Sequence, residues 1–333
     1  QLYAQRYVPG QSNTQLGVSM PLVPTTEGLP RSTVEEVYTQ INSDIDAAIG
    51  LLTSNRQYKS HINLNVAQGI KARIALTQGN WAVAEQFAAL ARTGLNLMNQ
   101  TQYQDGFSDI SNPEWMWGFD HLEDQSEFFG GYHSYISCNF NSSNIRLCPK
   151  AINSLLYNQI SATDVRRLMW VPAPTPANSI VPPGGVRVPY MVQKFKLPGT
   201  PSTSTMGDTP FMRVAEMYLI EAEAEARQNK DAEAAQTLRS LIITRDPNYA
   251  LSTNTGISLI NEILLHRRIE LWGEGFRFTD LKRLDAPLNR NGANHIPSVA
   301  LLFDVPAGDV RWQFLLPLDE LNNNPNTRQN DLN

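Results

Sequence analysis

The chain has 333 residues, 41% of them hydrophobic and 18% charged, and a formal net charge of −5. This balance describes a folded globular protein and gives no electrostatic reason to bind nucleic acid or anionic lipid. No apolar run approaches the roughly 20 residues that a membrane-spanning helix needs.

In chain order, the first predicted helix covers residues 32–53. Ser32 followed by Glu35 has the spacing of a capping box, and Val34, Val37, Ile41, Ile45, Ala48, Ile49 and Leu52 mark one apolar face. Two more helices are predicted over 64–78 and 81–97, separated by a Gly79-Asn80 turn. The small residues Ala82, Ala84, Ala88, Ala89 and Ala91 in the second of these allow close helix approach, as in an αα-hairpin. A related pattern returns 150 residues later, where Ala222, Gln228, Ala232, Ala234 and Gln236 match Ala72, Gln78, Ala82, Ala84 and Gln86. Both hairpins resemble tetratricopeptide (TPR) units, which become stable by stacking, and residues 257–284 are expected to supply a further pair. The expected fold class is therefore mostly α: one α-rich domain over 1–333, with stacked TPR-like hairpins in 32–98 and 211–284.

Residues 100–210 have a different composition. Pro172, Pro174, Pro176, Pro182, Pro183, Pro189, Pro198 and Pro201 exclude long helices, apart from a short one expected over 149–160, so this stretch reads as a loop-rich insertion and the candidate ligand-binding region. The run from Trp115 to His121 alternates, which places Trp115, Trp117 and Phe119 on one face of a strand. Such rings suit the C–H faces of sugars, and they equally suit the inner face of a strand packed on helices. In the following loop, Asp124, Gln125, Phe128, Phe129, Tyr132, His133, Tyr135, Asn139 and Asn141 interleave aromatic rings with hydrogen-bonding groups around Gly130-Gly131. This loop reads either as an oligomer-binding surface or as a cover over the core. The candidate ligand-binding set is Trp117, Asp124, Gln125, Phe129, Tyr132, Tyr135 and Asn139. The irregular stretch 285–312 is a second source of residues for such a surface.

No nucleophile elbow, phosphate loop, zinc motif or dinucleotide fingerprint occurs, so neither catalysis nor a cofactor is expected. Asp120, Glu123, Asp124 and Glu127 would be the carboxylates of a glycosidase, and His121 and His133 beside them would be metal ligands, but an exposed acidic loop accounts for the same residues. Cys138 and Cys148, separated by nine residues, either close a small loop worth roughly 3 kcal/mol or remain free thiols.

The run from Leu265 to Leu284 combines a helical charge pattern with a Gly-x-Gly break. Gly273 and Gly275 permit a sharp exit at positive φ, and Arg267, Arg268, Glu270, Glu274, Arg277 and Asp280 are expected to form a semi-buried ion network locking a helical hairpin. This run resembles the hallmark of the SusD/RagB family, an Arg-Arg-x-Glu-Leu-x-x-Glu-Gly-x-Arg-x-x-Asp-Leu pattern, through Arg267, Arg268, Glu270, Leu271, Glu274, Gly275, Arg277, Asp280 and Leu281. Asp208–Ala226 and Phe314–Asn326, ending in Gln329-Asn330, are similar to segments that flank it in the family, and residues 19–98 match more weakly. The resemblance implies a non-catalytic outer-membrane, cell-surface lipoprotein that captures oligosaccharides and delivers them to a SusC-like TonB-dependent transporter. Some members take peptides instead, and a TPR-type protein-interaction scaffold or a surface glycosidase are further readings. Family members carry an export signal, a lipid-anchored cysteine and a long N-terminal helical region ahead of the equivalent of Leu16–Pro21, so membrane attachment is expected only through an N-terminal lipid anchor absent from this chain.

Overall fold

The computed structural model describes residues 1–125, 129–199, 202 and 204–330. Helix α1 spans Val34–Leu51. Its capping box is formed by Thr33 and Glu36, one residue later than the sequence spacing suggests: Thr33 Oγ1 accepts from the Glu36 N–H, and the Glu36 carboxylate accepts from the Thr33 N–H at 2.7 Å. Ser32 is not free to cap, because its backbone pairs with Gly17 and Val18 in an extended bridge.

Helices α2 (Leu64–Gln78) and α3 (Trp81–Arg92) form the predicted hairpin. Asn63 caps α2 by accepting from the Val66 N–H, and Gly79 ends it at φ +69. Helix α3 stops five residues short of expectation, at a turn in which Gly94 takes φ +75. Ala84, Ala88 and Ala91 are fully buried on α3, so that it fits closely against α2 on one side and α8 (Val214–Arg227) on the other. Between them lie four short helices, α4 (Gln100–Gln104), α5 (Tyr132–Ile136), α6 (Ser143–Leu147) and α7 (Ser154–Tyr157). Helix α7 is the core of the short helix expected over 149–160. Helices α9 (Asp231–Ile242), α10 (Gly256–Glu270) and α11 (Phe276–Arg283) complete the scaffold. Gly273 and Gly275 take φ +82 and +90 at the turn between α10 and α11, as the Gly-x-Gly break predicts.

Helix α8 is buried nearly all round even though it carries four glutamates. Each of three is reached by an arginine from another helix, Glu216 by Arg73, Glu221 by Arg92 and Glu223 by Arg283, and Glu223 is also paired within α8 to Arg227. Pairing makes such burial tolerable, since an unpaired carboxylate there would be strongly destabilising. Apolar packing fills the remaining space, with Met217, Ile220 and Ala224 facing α2 and α3, and Leu219 and Ala222 facing α9 and α10.

The stretch between the helical blocks holds two small antiparallel pairs. Strand β1 (Trp115–Phe119) pairs with β4 (Thr209–Arg213), and β2 (Trp170–Val171) with β3 (Met191–Val192). Beneath them lies a further core that includes Tyr103, Phe107, Trp115, Trp170 and Phe195 and reaches Ile269 on α10. Of the 285–312 stretch, Asn294 docks on α7, accepting from the Ser154 N–H at 2.8 Å and donating to the Ile152 carbonyl.

Candidate functional site

The strand β1 does not present the expected row of three rings. Register shifts on either side of Trp117 rotate its neighbours: Trp115 enters the core under the insertion, while Met116 enters the core between α2, α3 and α8. Trp117 is left half-buried, its indole N–H donating to the Ser60 carbonyl at 3.1 Å and its ring meeting Phe211 edge-on at 5.1 Å. It forms one wall of a cleft of about 490 Å³ together with Phe211, Phe276, Arg73 and Arg267. None of the other six candidate residues lines this cleft.

The loop candidates separate into exposed and buried groups. Asp124 and Gln125 stand exposed on a single 3₁₀ turn, Glu123–Gln125. Phe129 and Tyr135 are 59% and 49% exposed. Phe128 and Glu127 lie outside the described residues. Tyr132 points inward: its hydroxyl donates to the Gly273 carbonyl at 3.1 Å, and its ring packs edge-on against Phe195 at 5.5 Å. Burial and the neighbouring Glu274 raise the Tyr132 hydroxyl well above the ordinary tyrosine value, so it stays protonated as a donor.

Asn139 lies inside the fold and not on the exposed face of the loop. Its side chain is fully buried, its amide donates to the Leu197 and Gly199 carbonyls at 2.8 Å each, and its oxygen accepts from the Leu197 N–H. It clamps the 197–199 segment. His133 is likewise internal, bridging Ser137 Oγ at 2.7 Å and the Asp208 carbonyl at 3.0 Å. Desolvation lowers it to about 4, which keeps it neutral. Among the described residues no group of three or more His, Cys, Asp or Glu is placed to hold a metal. Cys138 and Cys148 are free thiols, the first buried and the second exposed.

The rigid base beneath the loop is ionic. Glu270 and Glu274, from the hallmark run, do not lock a hairpin with its other charges; they meet cations from distant segments. Glu270 accepts from Arg213 at 3.0 Å, Arg245 at 3.2 Å and Arg166 at 3.4 Å, while Glu274 accepts from Lys194 at 2.6 Å and Arg213 at 2.7 Å. Glu114 adds a third carboxylate to Arg213 and a second to Arg245. Desolvation opposes charge on Glu270, but Arg245, Arg213 and Arg166 outweigh it and hold the carboxyl well below its ordinary range. The same desolvation pushes Lys194 down to about 8, against the pull of Glu274. Only Arg267 and Asp280 of the predicted set pair across the α10–α11 turn, at 2.9 Å. Because Glu114, Arg166 and Lys194 belong to the insertion, this network ties the insertion to the helices.

Sequence reasoning missed Phe211 and Phe276 as cleft walls and placed Arg267 in an ion network without assigning it to a cleft.

Comparison with known proteins agrees with this architecture. A SusD-like carbohydrate-binding protein from Bacteroides vulgatus superposes with a TM-score of 0.81 at 24% identity, over 97% of this chain and 72% of that one. A SusD superfamily protein from Bacteroides thetaiotaomicron gives 0.77 at 26% identity, over 96% and 72%. A second Bacteroides vulgatus SusD superfamily protein gives 0.82 at 21% identity, over 99% and 72%. No curated relative matches the sequence. The model of the SusD family matches residues 97–332, which takes in the insertion, the hallmark run and the closing segment, and the chain belongs to that family.

Proposed function

We propose that this protein is a non-catalytic binding protein of the outer bacterial surface, which captures oligosaccharides and hands them to a SusC-like TonB-dependent outer-membrane transporter. Family membership and the carbohydrate-binding description of one structural relative support this reading. The observation that carries it is the contrast within the loop. Phe129 and Tyr135 are held open to solvent on a short segment whose other members, Tyr132, His133 and Asn139, are anchored by hydrogen bonds to the core. Rings fixed in this way lose little freedom on stacking against a sugar face, and Asp124 and Gln125, exposed on the turn that precedes them in the chain, offer partners for hydroxyl groups. Surface attachment through an N-terminal lipid anchor belongs to the same proposal, as the family resemblance implies.

Calorimetric titration against a panel of polysaccharides and peptides, with reducing ends measured in parallel, tests the reading. Saturable binding of one glycan class without release of reducing ends is the expected result. Binding confined to peptides, or steady glycan hydrolysis lost on replacing Asp124, overturns it.

A further inference from the structure

The Trp117 cleft has a floor whose hydrogen-bonding balance is incomplete. Helix α11 begins there at Gly275, and no side chain caps its first turn. Arg267 forms part of the same wall and is only 3% exposed; its Nε donates to Asp280 at 2.9 Å, but its buried Nη1 has no acceptor among the described residues. The carboxylates of the cleft cannot supply one, because both are already committed. Asp280 is shared between Arg267 and Arg283, the latter at 2.8 Å, and Glu274 is held by Lys194 and Arg213. Arg73 is paired with Glu216, and its guanidinium stands 5.2 Å from the centre of the Phe276 ring, while that of Arg267 stands 5.1 Å away.

A helix start with uncapped amides and a buried guanidinium with an unused N–H both call for an anion. Together they converge on one cleft whose upper walls are the rings of Trp117 and Phe211, the latter 41% exposed. We propose that this cleft is a second binding site, distinct from the Phe129–Tyr135 face, that takes the carboxylate of an acidic ligand end-on. The carboxylate lies at the first turn of α11 within reach of Arg267 once the Phe276 ring moves aside, and the carbon skeleton lies between Trp117 and Phe211. Two sources carry this chemistry: the uronate of an acidic oligosaccharide and the C-terminus of a peptide.

Titration with two matched pairs tests the site: an oligogalacturonate against its methyl ester, and a short peptide with a free against an amidated C-terminus. The free acid of at least one pair is expected to bind about tenfold or more tightly than its neutral partner, as for a hydrogen bond to a charged group. Whichever pair shows the difference identifies the source. Arg267→Gln is expected to abolish the difference, with thermal unfolding measured alongside because Asp280 loses a partner. Thr279→Glu provides a second reading without that risk, since it places a carboxylate of the protein's own in the cleft near the start of α11 and should exclude the ligand's. Phe211→Ala should weaken both members of the binding pair alike. Equal affinity for acid and neutral forms in both pairs, no binding in either, or an acid preference that persists in folded Thr279→Glu protein overturns the proposal.

Discussion

Arg213 and Glu270 meet at 3.0 Å with neither side chain exposed to solvent, although 57 residues separate them in the chain. Arg213 ends β4 and Glu270 ends α10, so this contact is where the insertion's strand pair is fastened to the helical stack. Removing one side of a buried pair leaves the other charge uncompensated. Arg213→Ala takes one cation from each of Glu114, Glu270 and Glu274, leaving Arg245, Arg166 and Lys194 as their partners, and should cost about 3–5 kcal/mol, measured by urea unfolding. A change within ±0.5 kcal/mol would show that the network does not hold the insertion.

Two buried histidines predict an acid-sensitive fold. Desolvation lowers His133 to about 4 and His266 to about 3, the latter helped by Arg166. Between those values and the ordinary histidine pKa of about 6.5, the unfolded chain binds protons that the folded chain does not, so stability falls as pH drops through this window. For His133 the loss is roughly 3 kcal/mol over its full span. Melting temperature should decline between about pH 6.5 and 4, and His133→Asn should flatten part of that slope. A flat profile in the parent protein would contradict the assignment.

Asn139 and Tyr135 lie four residues apart and should behave oppositely. Asn139→Ala removes the clamp on the 197–199 segment and should cost about 1–3 kcal/mol of stability while leaving intrinsic ligand contacts in place. Tyr135→Ala, at an exposed ring, should leave unfolding nearly unchanged and reduce glycan affinity. Paired denaturation and titration curves check both, and a loss of affinity in stable, folded Asn139→Ala protein would return that residue to the site.

The helical scaffold was legible in the sequence because its packing rule is local. Ala84, Ala88 and Ala91 recur at helical spacing, and Gly79 marks the α2 end one residue past Gln78. The site was less legible for reasons equally physical. Strict alternation through Trp115, Trp117 and Phe119 promised one aromatic face, but a strand with shifted register does not keep its period, and nothing in the residue types signals such a bulge. Asn139 looked like a ligand group because composition reports a hydrogen-bonding side chain without its direction. The partners of Glu270 were invisible for a different reason: Arg166, Arg213 and Arg245 come from three separate segments, and only the folded topology brings them to one carboxylate.

The most direct measurement is the affinity of the Phe129→Ala/Tyr135→Ala double variant for the best oligosaccharide of the screen, with folding verified by thermal unfolding. If these rings are the stacking platform, one central contact contributes about 2 kcal/mol, so the double variant should bind at least about thirtyfold more weakly, and roughly a thousandfold if both rings are central and additive, while melting like the parent. Unchanged affinity in the folded double variant would contradict the account and move carbohydrate recognition away from this loop.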